Sequence, residues 1–535
     1  MRHVVIVGSG ASAVHFAQSV LARGWRVTML DVGRVAPAPV RPDDSFAALK
    51  KNLDDPADYF LGRNFEGVLF PGQAGEYYGF PPHKGYIFES VGAFALRSRG
   101  FEALTSFARG GLAEAWTGGS FPFNADELAD FPIPYGELAP YYGRVAERIG
   151  ISGSADDLAR FMPVHEHLRP ALDLDEHSRV LFAKYEQRRR ALNDLRVWIG
   201  RSRAATTRDD AGERNGCTYL GRCLWGCPRE ALYTPSITLR WLQKQPNFSY
   251  LAGRFVTHFE VDASNRATRV AAIELASGAR ELFDADAVVL AAGTLASSKI
   301  VLDSMQRIGG SAPVLSGLMD NRQVLVPFVN LSMLRRAGDP NTYQYHQLAL
   351  GLEAQLAKHY VHGLITTLKS ALIHPIVQSV PFDLRSALQV FKNSHAALGI
   401  LNVNFYDDRR ADNTLGIEPG ANGAPSRLVV NYSPSRDEPA RMKATLATLK
   451  RALKQLGCIV PPGMTHVRPM GASVHYAGTL PMSASAAPLT TTSNCESRDF
   501  QGLFIADGAT LPFLPAKNLT FTLMANAMRI ADAAF

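Results

Sequence analysis

The sequence predicts an α/β protein, α+β overall: a parallel sheet assembled from distant stretches of chain, with an antiparallel sheet inserted between them. Three observations lead there. The N-terminal segment runs strand, tight turn, helix, strand. A strand and a long apolar helix close the chain. Between them, several segments alternate apolar and polar residues, the period of half-buried antiparallel strands.

The first element is "HVVIVG", a buried parallel strand. Gly8-Ser9-Gly10-Ala11-Ser12-Ala13 forms the turn, "AVHFAQSVLARG" is helical and stops at Gly24, and "RVTMLDVG" is a second strand reaching Asp31. This is G-x-G-x-x-A followed by an acid about 20 residues on, the Rossmann dinucleotide fingerprint. Gly8 permits the turn, Gly10 lets backbone approach a pyrophosphate, and Ala13 allows close helix–strand packing. The helix N-terminus offers unpaired N–H groups and a positive dipole end. Asp31 would accept from ribose hydroxyls, which argues against a 2′-phosphate. The motif alone does not separate FAD from NAD.

The far end carries "SVHYAGTLPM" (Ser473–Met482) and "GLFIADGATLPFLPAKNLTFTLMANAMRIADAAF". Together with the fingerprint, these resemble the glucose–methanol–choline (GMC) flavin oxidoreductases, whose C-terminal pattern is H-x-x-G-T, D-G, N-P-x-x-T. The matching residues are His475, Gly478, Thr479, Asp507, Gly508, Asn518 and Thr522, with Leu519 where the family has Pro. "DADAVVLAAGTLASSKIVLDS" and "FARGGLAEAWTGGSFPFN" resemble the family's strand–AG–helix and Gly-rich flavin loop. "FPIPYGELAPYYGRVAERIGISG" resembles the pyranose-oxidase and sugar-dehydrogenase branch.

The resemblance implies FAD, held by Gly8, Gly10, Ala13, Asp31, Arg109, Gly110, Gly111, Ala115, Val256, Gly293, Asp507, Gly508 and Thr522. It also implies oxidation of CH–OH to carbonyl by hydride transfer to the flavin. His475 would be the base and Asn518 would orient the substrate oxygen. A covalent flavin in that branch uses a His at the position of Ala115, so the FAD is expected to be non-covalent. The expected substrate is a sugar, glycoside or polyol. A hydrophobic or natural-product alcohol, and a non-redox lyase on the same fold, are the alternatives. Oxygen or another acceptor would reoxidise the flavin.

The resemblance divides the chain into an FAD domain (1–34, 90–125, 205–310, 462–535), a substrate domain (126–204, 311–461) and a connecting or lid region (35–89). The substrate-domain strands would be "QVLVPFVNLSML", "TYQYHQLALGL", "ALGILNVNFYD" and "SRLVVNYS", forming one antiparallel sheet. Residues 356–392, apolar with few acids, read as two core helices, or alternatively as a lid or membrane-facing surface. His359 and His362, three apart, read as one helix face rather than a metal site.

"CTYLGRCLWGCP" places Cys217, Cys223 and Cys227 as C-x5-C-x3-C. Zinc would want a fourth ligand, and no CxxC pair is present. The spacing is similar to that of GMC sugar dehydrogenases carrying a three-iron, four-sulfur cluster, which would call for an electron-transfer partner. Buried packing thiols are the preferred reading, and no other metal is expected.

Bulk properties agree. The chain has 535 residues, 46% hydrophobic and 20% charged, ample for large interleaved domains. Five cysteines make no disulfide framework. Net charge is +7, but Lys and Arg are scattered without interleaved aromatics, which argues against nucleic acid. The opening "MRHVVIVGSG" enters a β-type run with no signal-like segment, and no stretch reaches the roughly 18 apolar residues of a membrane span. A cytoplasmic protein without a transmembrane segment is expected.

Overall fold

The computed structural model describes residues 1–36, 43–68, 76, 79–339, 341–369, 372–378, 380–420 and 425–535. Its centre is a five-stranded, all-parallel sheet in the order Leu503–Ile505, Ala287–Leu290, His3–Val7, Arg26–Leu30, Phe248–Leu251. His3–Val7 is buried on both faces, as a central parallel strand must be. Val4 and Ile6 enter one core with the helices Ala11–Leu21 and Thr520–Ala534. Val5 and Val7 enter another, beside an antiparallel sheet of Arg254–Val261, Ala267–Glu274 and Arg280–Asp284.

The second large sheet has seven strands. Its order is Cys458–Ile459, Gln323–Asn330, Leu398–Asn404, Val361–Thr367, Leu348–Leu352, Val197–Arg201, with His466–Val467 also against Gln323–Asn330. Every pairing is antiparallel. Its inner face packs on the helices Glu176–Asn193 and Glu438–Gln455 around Val324, Val326, Leu348, Leu401 and Leu449.

Three expectations change. "SRLVVNYS" does not join this sheet. Arg427–Asn431 pairs with Thr414–Glu418 and, in parallel, with Ala95–Arg99. Leu428 and Val430 find their burial in the core of Val5 and Leu290 instead. Residues 356–392 are not two core helices. Val361–Thr367 is an interior strand, and the helices His374–Gln378 and Leu384–Ser394 lie at the surface, the second burying just Ala387. Ser370, Ala371 and Ser379 lie outside the described residues. Finally, His359 ends a 3-10 turn and His362 sits in that strand, so no helix face joins them. Among the described residues, no helix is long and apolar enough to cross a membrane.

Candidate functional site

A cavity of about 220 Å³ opens at the carboxyl ends of the parallel strands, where open α/β sheets bind ligands. Three helices begin at it: Ala11–Leu21, Thr294–Gly309 and Thr520–Ala534. Their N-caps are Gly10, Gly293 and Leu519, and none supplies a side-chain cap. Three helix N-termini without side-chain caps converging on one cavity make a strongly anion-attracting site. The sequence motif identified just one of them.

The fingerprint fits a bound dinucleotide. Gly8 has φ +96°, and a Cβ there would lie 2.7 Å from the Ala291 carbonyl oxygen. A Cβ on Gly10 would meet nothing within 4 Å; its absence leaves backbone bare toward the cavity. Asp31, at the next strand end, accepts from Ser9 Oγ and, at 2.9 Å, from Tyr250 OH. Burial pushes its carboxyl up to about 6, against the pull of those two hydroxyls.

Gly8, Gly10, Asp31, Gly110, Gly111, Val256, Gly293, Asp507 and Gly508 all line the cavity. Asp507 anchors its rim: Oδ2 accepts from Ser297 Oγ (2.5 Å) and Gly293 N (3.0 Å), and Oδ1 from Ala509 N (3.0 Å). Four of the expected contacts do not line it. Arg109 lies over the Tyr250 ring, 5.3 Å from its centroid. Ala115 packs with Ile87 and Ala108. Ala13 is in the helix–sheet core. Thr522 hydrogen-bonds Tyr142 OH at 2.8 Å.

His475 lies between two cavity-lining residues, Val474 and Tyr476. Val474 takes φ +64°, a costly conformation for a β-branched residue. His475 N donates to Ser473 Oγ (3.0 Å), whose hydroxyl donates to the buried Asp320. Asn321 then decides the state of the imidazole. Its amide donates to the carbonyls of Phe405 (2.8 Å) and Pro515 (3.0 Å), so its Oδ1 must accept from His475 Nδ1, 3.0 Å away. The proton is held on Nδ1. Nε2 keeps its lone pair and bonds no described residue. Burial, then Arg468, pushes the imidazole down to about 4, so it is neutral at neutral pH.

Asn321 also ties His475 to the loop that carries Asn518, because Pro515, whose carbonyl accepts from Asn321, belongs to that loop. Asn518 immediately precedes Leu519 and Thr520 of the cavity wall, and its buried Oδ1 has no hydrogen-bond partner among the described residues. The residue before it, Lys517, is fully buried. Its Nζ donates to Glu127 Oε2 (2.5 Å), Phe161 O (2.7 Å) and Pro122 O (2.8 Å). Three acceptors match the three protons of an ammonium. Burial pushes Glu127 up and Lys517 down, and the attraction between them opposes both.

The seven-stranded sheet adds residues that no motif marked. Buried His362 lies within electrostatic reach of His475, His346 and Lys517, and both His362 and His346 flank the Phe121 ring. His346 is tied to Ser202 Oγ (2.7 Å) and Thr117 Oγ1 (3.2 Å). Burial keeps His346 and His362 neutral.

Cys217, Cys223 and Cys227 gather in one cluster with Leu172, Ala204, Leu232 and Tyr343. Burial pushes the Cys217 thiol up to about 11 and also raises the Cys223 thiol well above its ordinary range. Among the described residues, no group of His, Cys, Asp or Glu side chains is arranged to hold a metal ion.

Residues 410–527 match the family described as GMC oxidoreductase. The chain is 23% identical to paromamine 6′-oxidase of Streptomyces fradiae, over 99% of this chain and 90% of that protein. It is 26% identical to 2-methyl-1,2-propanediol dehydrogenase of Mycolicibacterium austroafricanum, over 75% and 74%. The fold is shared with pyridoxine 4-oxidase from Mesorbium loti (TM-score 0.60, 14% identity, 100% and 99% covered). It is also shared with an FAD-dependent oxidoreductase from Chaetomium thermophilum (TM-score 0.56, 13% identity, 99% and 98% covered).

Proposed function

We propose that this chain, whose residues 410–527 match the GMC oxidoreductase family, is an FAD-dependent GMC oxidoreductase that oxidises the CH–OH group of a polar, sugar- or polyol-like alcohol to a carbonyl. The Gly8–Ala13 backbone and the three helix N-termini would hold the cofactor's pyrophosphate and flavin ends, and Asp31 a ribose. Bound FAD supplies the acceptor for the hydride that leaves the carbinol carbon.

The observation that carries this reading is the Asn321–His475 hydrogen bond. It leaves Nε2 as a proton acceptor, in the state a general base needs at neutral pH, on a residue whose two chain neighbours line the cavity. The substrate hydroxyl gives its proton to Nε2, and Nδ1–H to Asn321 holds the ring in place as it becomes imidazolium. Asn518 holds the substrate oxygen through its side-chain amide. The polar-substrate reading draws on the relatives, which act on paromamine and a propanediol by name. The FAD would be held non-covalently as far as the attachment position of the pyranose-oxidase branch goes, since Ala115 there offers no nucleophile. The three cysteines act as packing, so anaerobically prepared protein should contain no stoichiometric iron.

The test is anaerobic mixing of the purified, yellow protein with a panel of alcohols, sugars and polyols, followed by admission of air. Flavin bleaching by polar alcohols supports the proposal, and recovery in air identifies oxygen as an acceptor. Failure of every alcohol to bleach the flavin would overturn it. Flavin remaining with the acid-precipitated chain would refute non-covalent binding.

A further inference from the structure

The helix Leu384–Ser394 stands apart from the rest of the molecule. It buries just Ala387, yet it and the residue two before it expose Phe382 (61%), Leu384 (68%), Leu388 (43%) and Val390 (42%). Single exposed apolar residues need no explanation, but Leu384 and Leu388 lie one helical turn apart with Phe382 just before them, and these three form a patch, while Val390 lies around the helix from it. Leu384, Leu388 and Lys392 follow one another at four-residue spacing on one helix face, with Arg385 beside them. Between Glu353 and Asp407 the chain has a single carboxylate, Asp383, and it caps this helix by accepting from Ser386 N at 3.1 Å. Lys358 and Lys369 in the same stretch pair with Asp130 and Asp175. Arg385 and Lys392 pair with no described residue. The result is an apolar stripe with a cationic rim, the arrangement of a helix that lies in a membrane interface.

We propose that the helix Leu384–Ser394, with Phe382, docks the protein on the surface of an anionic phospholipid bilayer. The leucines and Phe382 enter the headgroup boundary, and Arg385 and Lys392 meet lipid phosphates. Arg385 and Lys392 complement an anionic surface, whereas a second copy carries the same two cations and offers this face just Asp383, already engaged at the helix cap.

The experiment is co-sedimentation of the holoprotein with sucrose-loaded vesicles of phosphatidylcholine, with and without phosphatidylglycerol. The wild type is expected to pellet with the anionic vesicles, to stay in solution with phosphatidylcholine alone, and to dissociate as salt rises. Arg385→Gln with Lys392→Gln should lower partition onto anionic vesicles roughly thirtyfold, and Leu384→Ser with Leu388→Ser roughly tenfold or more. These positions are exposed and remote from His475 in sequence, so flavin content and reduction by a soluble alcohol verify folding of each variant. Wild type remaining in the supernatant, or variants that pellet like wild type, would overturn the proposal. So would a dimer in light scattering that the leucine substitutions dissolve, because the face would then belong to a second copy.

Discussion

At the scale of single residues, the proposed chemistry depends on which nitrogen of His475 holds the proton. His475→Ala should slow flavin reduction roughly 10²–10⁴-fold, the usual worth of a general base, while FAD stays bound. Wild-type rates in that variant would remove His475 from the mechanism. Asn321 permits a sharper test. The base must be neutral, and its folded value is about 4, so the wild-type reduction rate should fall as pH drops through about 4. Asn321→Asp puts a carboxylate against Nδ1, which favours the imidazolium. The acid limb of the pH–rate profile should then move toward neutrality by roughly 1–3 pH units. A limb that stays in place would mean that Asn321 does not govern the imidazole.

At the scale of elements, the loop carrying Asn518 is held by the Lys517–Glu127 pair, both fully buried. A buried pair contributes little net stability when intact, yet removing one partner strands the other charge. Lys517→Met should therefore destabilise the fold by about 3–5 kcal/mol in urea unfolding. Lys517→Met combined with Glu127→Leu should recover much of that loss. Equal stability of the Lys517→Met and double variants would show that the stranded Glu127 is not the source of the loss. Flavin reduction in the double variant then reports whether the salt bridge also sets the aim of Asn518.

At the scale of the whole molecule, the cavity joins six distant stretches of chain: residues 7–32, 104–113, 254–256, 291–300, 474–476 and 507–523 all contribute to its wall. A ligand there cross-links segments far apart in sequence and favours the folded state by mass action. Stripping FAD should lower the thermal midpoint by several degrees, and adding ADP should restore part of the loss through the fingerprint alone. At a hundredfold excess over its Kd the stabilisation is about 2.7 kcal/mol. An ADP-insensitive midpoint would argue that the fingerprint turn does not hold a pyrophosphate.

The sequence by itself determined the features that rest on short-range rules. The Gly8 turn, the acid at Asp31, the helix that stops near Gly24 and the C-terminal helix follow from local periodicity and turn chemistry, and His475 and Asn518 stand in recognisable motifs. Period-two alternation also marked Arg427–Asn431 as a strand. It could not choose the sheet, because alternation requires one buried face and says nothing about which core receives it. Likewise an apolar stretch with two prolines read as core helices, whereas Val361–Thr367 gained more as an interior strand between two neighbours. Asn321, Lys517, Glu127 and His362 carry no local signal at all. Each matters through contacts more than a hundred residues away in sequence, so the tautomer of the base, the anchoring of the Asn518 loop and the convergence of three helix N-termini were decided by tertiary packing alone.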